Sequence, residues 1–63
     1  MDTSAALLLT PAQAAERLSI ARSSLYELLL TNQIVSIKIG RSRRIPLDAL
    51  SDYVARKVRE QGA

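Results

Sequence analysis

The side chains of this sequence with the clearest capacity for chemistry are basic and clustered. Residues 1–37 carry two basic against three acidic side chains, a net charge of −1, whereas residues 38–63 carry seven against three, a net charge of +4. Four of those seven lie close together: Lys38, Arg41, Arg43 and Arg44. A local cluster on an otherwise balanced chain indicates a polyanionic partner, with a solvated surface as the alternative.

Other chemistry is limited by what the sequence lacks. It contains no His and no Cys, which removes disulfides, thiolate zinc sites and histidine-based catalysis. With 63 residues, the chain is shorter than most catalytic scaffolds, so we expect one domain that is not an enzyme and that holds no metal or cofactor. The longest apolar run, 5–9, is too short to span a bilayer and lacks the features of a signal peptide. We therefore expect a cytoplasmic protein without a membrane partner.

Two short helices precede the basic cluster. Thr10, Pro11 and Gln13 form a helix start with a capping box, and the helix is predicted to end at about Leu18. After a tight connection at 19–21, a second helix is predicted from 22 to 31, with Leu25 facing the core. Two helices joined by so short a turn indicate a helix-turn-helix unit, whose second helix enters the major groove of DNA.

The pattern then changes to strands. Hydrophobic residues alternate with polar ones over 35–39, the turn is predicted at 40–42, and a strand returns over 43–45. This register places Ile37 opposite Ile45 on the buried side and Lys38 opposite Arg44 on the exposed side. Like charges that face each other across a ladder are unfavourable. The pair therefore indicates an anionic partner, unless both side chains simply extend into water.

A third helix is predicted over 47–60, opened by Pro46, with an apolar stripe made of Leu47, Leu50, Val54 and Val58.

Two local features stand out in the second helix. Ala21 stands where a capping side chain is expected, and Leu30 is the leucine of its Leu-rich end that we expect to be exposed. The fold class is mainly α with a small β-hairpin: one winged helix-turn-helix domain over 1–63, with flexible ends at 1–6 and 61–63.

Three segments together carry a family resemblance over roughly residues 7–55: LLTPAQAAERL at 8–18, SIARSSLY at 19–26 and IKIGRSRRIP at 37–46. Their order and spacing resemble the excisionase-type, MerR-like DNA-binding family. The resemblance implies major-groove contacts by the start of the second helix, namely Arg22, Ser23, Ser24 and Tyr26. It also implies contacts of the wing with phosphates or the minor groove, through Lys38, Arg41, Arg43 and Arg44.

Each implied contact has an alternative. Arg22 can be solvated, Ser23 and Ser24 can satisfy the helix end, and Tyr26 can cover the edge of the core. One of the wing arginines can instead lie along the hairpin and cover apolar surface with its stem. The third helix contributes a basic side, Arg56, Lys57 and Arg59, which we interpret as a possible surface for a neighbouring protein or flanking DNA.

The resemblance implies a function. An excisionase binds double-stranded DNA cooperatively with copies of itself, bends it, and directs the integrase of a phage or mobile element, a tyrosine or serine recombinase, toward excision. A small MerR-like transcriptional regulator is the first alternative, since it uses the same DNA chemistry. The second is a protein-interaction module whose basic third helix docks on an acidic partner or membrane surface.

Overall fold

The computed structural model describes residues 7–62, which form three helices and a small antiparallel sheet. The elements in chain order are β1 (Leu8–Leu9), α1 (Pro11–Leu18), α2 (Arg22–Leu30), β2 (Ile37–Ile39), β3 (Ser42–Pro46) and α3 (Leu47–Gly62). The predicted winged helix-turn-helix architecture is confirmed. The predicted flexible segment 1–6 and the last residue, 63, lie outside the described residues.

Local hydrogen bonds define both ends of α1. The Gln13 amide donates to Thr10 Oγ1 at 3.1 Å, and the Thr10 amide donates to Gln13 Oε1 at 3.0 Å, which completes the predicted capping box. At the other end, Ser19 adopts a left-handed conformation (φ 58°), and the Ile20 amide donates to the Ala15 carbonyl at 3.0 Å. This Schellman-type ending turns the chain sharply into α2.

Apolar residues from every helix, from β1 and β3 and from the α2–β2 connection form one core. α1 contributes only alanines to its fully buried part, so its backbone lies close to its neighbours. Ile20, in the turn, packs against this core from its edge, as an apolar turn residue between two angled helices should. The buried set is Leu9, Ala14, Ala15, Leu25, Leu29, Ile34, Ile45 and Leu50.

The sheet has three strands in the order β1–β3–β2, not the two predicted for the wing. Leu9 of β1 pairs with Ile45 of β3, and both side chains are buried. The Leu47 amide also donates to the Leu7 carbonyl at 2.9 Å, which extends this contact beyond the strand. β1 thereby covers one edge of β3, and the wing is anchored in the core at its base.

The register of the wing differs by one residue from the prediction, and the three-residue loop at 40–42 is wrong. Lys38 pairs with Arg43, not with Arg44, and Ile37 pairs with Arg44, not with Ile45. The loop contains only Gly40 and Arg41, and Gly40 has φ 61°. A glycine with positive φ at the first of two loop positions is typical of a type II′ hairpin turn, which suits the twist of the strands.

The last helix runs two residues past the predicted end at 60, through Gly62. Its apolar stripe is only partly covered: Leu50 is buried, but Val54 is 42% exposed and Val58 60% exposed. None of the helices within residues 7–62 is long and apolar enough to cross a membrane.

Candidate DNA-binding interface

The outward face of α2 is made of residues at helical spacing: Ser23, Tyr26, Glu27 and Leu30 are all exposed, whereas Leu25 and Leu29 are buried on the opposite face. The predicted exposure of Leu30 is confirmed at 82%. Glu27 and Leu30 were not among the predicted contact residues. They lie four and seven residues after Ser23, the spacing that places all three on one face of the helix.

The start of α2 has the features of an anion site. Ala21, at the N-cap, makes no side-chain hydrogen bond, and the first intrahelical bond runs from the Leu25 amide to the Ala21 carbonyl at 3.1 Å. The first amides of a helix need partners from outside it, and here no side chain caps them. Arg22, Ser23 and Ser24 surround these amides and are exposed. The Ser side chains therefore do not provide the N-cap that was their alternative role.

The wing directs part of its charge toward α2. Side chains alternate between the faces of a strand, so Arg43 shares the face of the buried Ile45, and its cross-strand partner Lys38 lies on that face too. The Arg43 Nη1 donates to Ser36 Oγ at 2.7 Å. Arg43 thus lines an open groove whose opposite wall includes Tyr26 and Leu30 of α2.

Arg41 and Arg44 lie elsewhere on the wing. Arg41 is exposed in the hairpin loop. Arg44 projects from the other face of β3, beside Ile37, and its Nη1 donates to the Arg43 carbonyl at 2.9 Å. The structure therefore brings Lys38 and Arg43 to the α2 side and separates Arg44 from them.

The basic side of α3 is largely engaged within the protein. Arg56 Nη2 donates to the Gln33 carbonyl at 2.6 Å, and its guanidinium lies 5.6 Å from the centre of the Tyr53 ring. Lys57 lies 5.7 Å from the same ring centre and forms a salt bridge with Glu60 at 3.4 Å. Only Arg59 of the predicted trio is exposed. Two of the three side chains are thus half-buried and contact other groups of the protein, and the role of the trio as a partner surface stays a prediction.

The arrangement suits binding of an extended anion better than catalysis. Over residues 7–62, no group of three His, Cys, Asp or Glu side chains is placed to hold a metal ion. The described surface offers an uncapped helix start, an exposed helix face, and a basic side chain, Arg43, across an open groove. A helix of this kind fits the major groove while the wing contacts the adjacent backbone. Fold and surface together define a winged helix-turn-helix protein of the DNA-binding class.

Comparison with known proteins refines this class. Residues 8–58 match the model of a family described as "Helix-turn-helix domain". A probable excisionase from Saccharopolyspora erythraea is 44% identical over 57 residues, which cover 90% of this chain and 58% of that relative. An excisionase from Streptomyces ambofaciens is 41% identical over 54 residues, covering 86% of this chain and 87% of the relative. No solved structure gives a significant match.

The chain belongs to the excisionase family of helix-turn-helix DNA-binding proteins. This membership makes it a DNA-binding protein. It spans little more than half the length of the first relative but most of the second. The further resemblance to MerR-like proteins, drawn from the sequence, stays a prediction.

Proposed function

We propose that this protein is an excisionase that binds and bends double-stranded DNA and directs an integrase toward excisive recombination of a phage or mobile element. The observation that carries the proposal is the placement of Arg43 in the groove beside the exposed side of α2, with its cross-strand partner Lys38 on the same face of the wing. One duplex can then contact the helix in its major groove and the wing along its backbone.

Within this proposal the residues have separate tasks. The uncapped start of α2, with Ser23 and Ser24, binds phosphate through its amides and hydroxyls. Arg22 and Tyr26 contact bases, since arginine can pair bidentately with guanine. Lys38 and Arg43 bind the phosphates or the minor groove beside the helix, with Arg43 held in position by Ser36. Arg41 and Arg44 extend the same contact from the tip and outer face of the wing.

The small size of the interface supports cooperative binding, and the position of the wing supports bending. A domain of 63 residues can neutralise only a few phosphates, so a single copy binds with modest affinity and strong salt dependence. Contacts between adjacent copies and with the integrase would raise occupancy of the recombination site. A wing that contacts the flanking backbone favours a curved duplex, because curvature brings more phosphates within its reach.

The test is the affinity for a mixed-sequence duplex measured across a salt series. For the wild type, the logarithm of the binding constant should fall linearly with the logarithm of salt concentration. The slope should become shallower by about one unit in R43A and by about two in R43A/R44A. The control K57A removes the same charge from a side chain paired with Glu60, and we expect its slope to match the wild type.

Two assays with the same protein then distinguish an excisionase from a transcriptional regulator of the same fold. One measures integrase-dependent excision, and the other measures promoter output. Integrase-dependent excision that requires the protein and is lost in R43A/R44A supports the proposal. A change in promoter output without any effect on excision would contradict it and favour a transcriptional regulator. A folded protein that binds no duplex at low salt would refute the DNA-binding assignment of these residues.

A further inference from the structure

Helix α3 has an apolar face that the rest of the described chain leaves partly open. Leu47, Ser51, Val54 and Val58 follow one another at steps of four, three and four residues, the spacing of a helix–helix seam. Val54 and Val58 are 42% and 60% exposed. Two shallow apolar depressions meet at Val54, and Leu18 of α1 borders both of them. The surface around Val54 is thus apolar and continuous.

The charges beside this seam change from negative to positive along the helix. Asp48, Asp52 and Arg59 are spaced by four and seven residues, so they lie along one flank of the helix, next to the apolar face. The two carboxylates lie in the N-terminal half and the guanidinium in the C-terminal half. All three residues are exposed. In the described part of the chain, the one salt bridge on α3 joins Lys57 to Glu60 and leaves this flank uninvolved.

We propose that the occupant of this face is the same face of a second copy of the chain, with the two α3 helices antiparallel. If the helices cross at positions 54 and 55, Ser51 of one copy lies level with Val58 of the other. Arg59 then lies level with position 50 of the second copy, about 3 Å along the axis from both Asp48 and Asp52. A twofold axis repeats this contact, because the same flanks meet in an antiparallel pair.

A parallel pair would lose these attractions. Its twofold axis runs along the helices and brings opposite flanks together, so the flank of Asp48, Asp52 and Arg59 would face the flank of Lys57 in the second copy. Arg59 would then lie about 3 Å along the axis from Lys57, a charge of the same sign, and no longer beside the carboxylates. The charge order along α3 therefore favours the antiparallel arrangement. The contact at position 55 is an alanine, which allows the two backbones to approach closely.

This interface deepens the proposed function, on which its biological role rests, by supplying a contact through which copies associate. The area is small, so association in free solution should be weak. It becomes significant when DNA holds two copies at high effective concentration. The occupancy of a duplex with two adjacent sites should thus rise more steeply with protein concentration than that of a duplex with one site.

Cross-linking tests the geometry directly, because the chain has no cysteine of its own. In V54C, the two introduced thiols lie beside the twofold axis, and mild oxidation of concentrated protein should yield a disulfide-linked dimer. The control E16C places an exposed thiol on α1 and should cross-link at least tenfold more slowly. Equal rates for the two variants, with both folded by circular dichroism, would overturn the proposal.

Charge exchange tests the direction of the pair. In the V54C background, R59E should lower the cross-linking rate threefold or more, because a third carboxylate joins the acidic flank. Addition of D52K should recover most of that loss. A parallel or unspecific contact predicts no such recovery, and its absence would contradict the antiparallel arrangement.

The dimer and the DNA contact can fail independently. V58D should keep wild-type affinity for a single-site duplex and lose the steep occupancy of a two-site duplex. Retained steepness in V58D would refute the interface and leave DNA binding intact. Failure of wild-type DNA binding alongside rapid V54C cross-linking would refute the proposed function and leave the interface intact.

Discussion

Arg56 connects the third helix to the segment between α2 and the wing, and its removal is the sharpest test of the packing. It donates to the carbonyl of Gln33, 23 positions away in sequence, at 2.6 Å. A hydrogen bond from a charged donor contributes about 1.5–3 kcal/mol when desolvated. Since Arg56 is only half-buried and Gln33 is exposed, the lower end of that range applies.

The contact with Tyr53 adds to this value. At 5.6 Å from the ring centre, the guanidinium gains about 0.5 kcal/mol at a partly exposed site. We therefore expect R56A to lose about 2 kcal/mol of unfolding free energy. In a domain of this size each kcal/mol shifts the melting temperature by roughly 4–8 °C, so R56A should melt roughly 8–16 °C lower.

The assay is thermal and urea unfolding followed by circular dichroism, with R59A as the matched control. Both substitutions remove one arginine from α3 and gain the same helix propensity. The Arg59 side chain, however, is exposed and takes part in none of the side-chain hydrogen bonds or salt bridges found over residues 7–62. R59A should stay within about 0.5 kcal/mol of the wild type. The loss in R56A should also be similar at low and high salt, because its main partner is a neutral carbonyl.

Two results would refute this reasoning. If R56A and R59A unfold within about 0.5 kcal/mol of each other, the bond to Gln33 contributes nothing measurable. If the loss in R56A disappears at 1 M salt, the stabilisation is a long-range charge effect instead of a local hydrogen bond.

Two further predictions concern the backbone at the candidate interface. A21S and A21D should each stabilise the fold by about 1 kcal/mol, because either side chain can cap α2. Only A21D should weaken DNA binding, since it places a carboxylate at the phosphate site. Equal DNA affinity for the two variants would argue against that site. G40A should lower the free energy of unfolding in urea by about 1 kcal/mol, because φ 61° is strained for alanine. The added methyl group itself meets nothing within 4 Å. A neutral effect would mean that the turn rearranges at no cost.

Local sequence signals were sufficient for the helices. The capping box at Thr10 and Gln13, Pro11 at the first helical position, and the short connection to α2 act within a few residues of each other, so they could be interpreted without tertiary information. The exposure of Leu30 and the missing cap at Ala21 were likewise predictable from periodicity and residue type.

The wing register was not predictable in the same way. Whether the loop has two or three residues changes the cross-strand partner of every residue in the hairpin. The apolar residues near the turn did not discriminate between the two loop lengths, because Ile37 and Ile39 are exposed in the observed register. The strand β1 contains only two residues, too few to show a period, and it forms because Leu9 pairs with Ile45.

The amino-acid sequence alone determined the helix-turn-helix, the basic wing and the aliphatic core of this protein, since capping, periodicity and charge are properties of neighbouring residues. Only the tertiary structure decided which of the charged side chains face α2 and which contact other parts of the protein. It placed Lys38 and Arg43 toward α2, turned Arg44 to the other face, and engaged Arg56 with a carbonyl distant in sequence. These outcomes depend on strand register and helix packing, which bring together residues whose proximity no local pattern encodes.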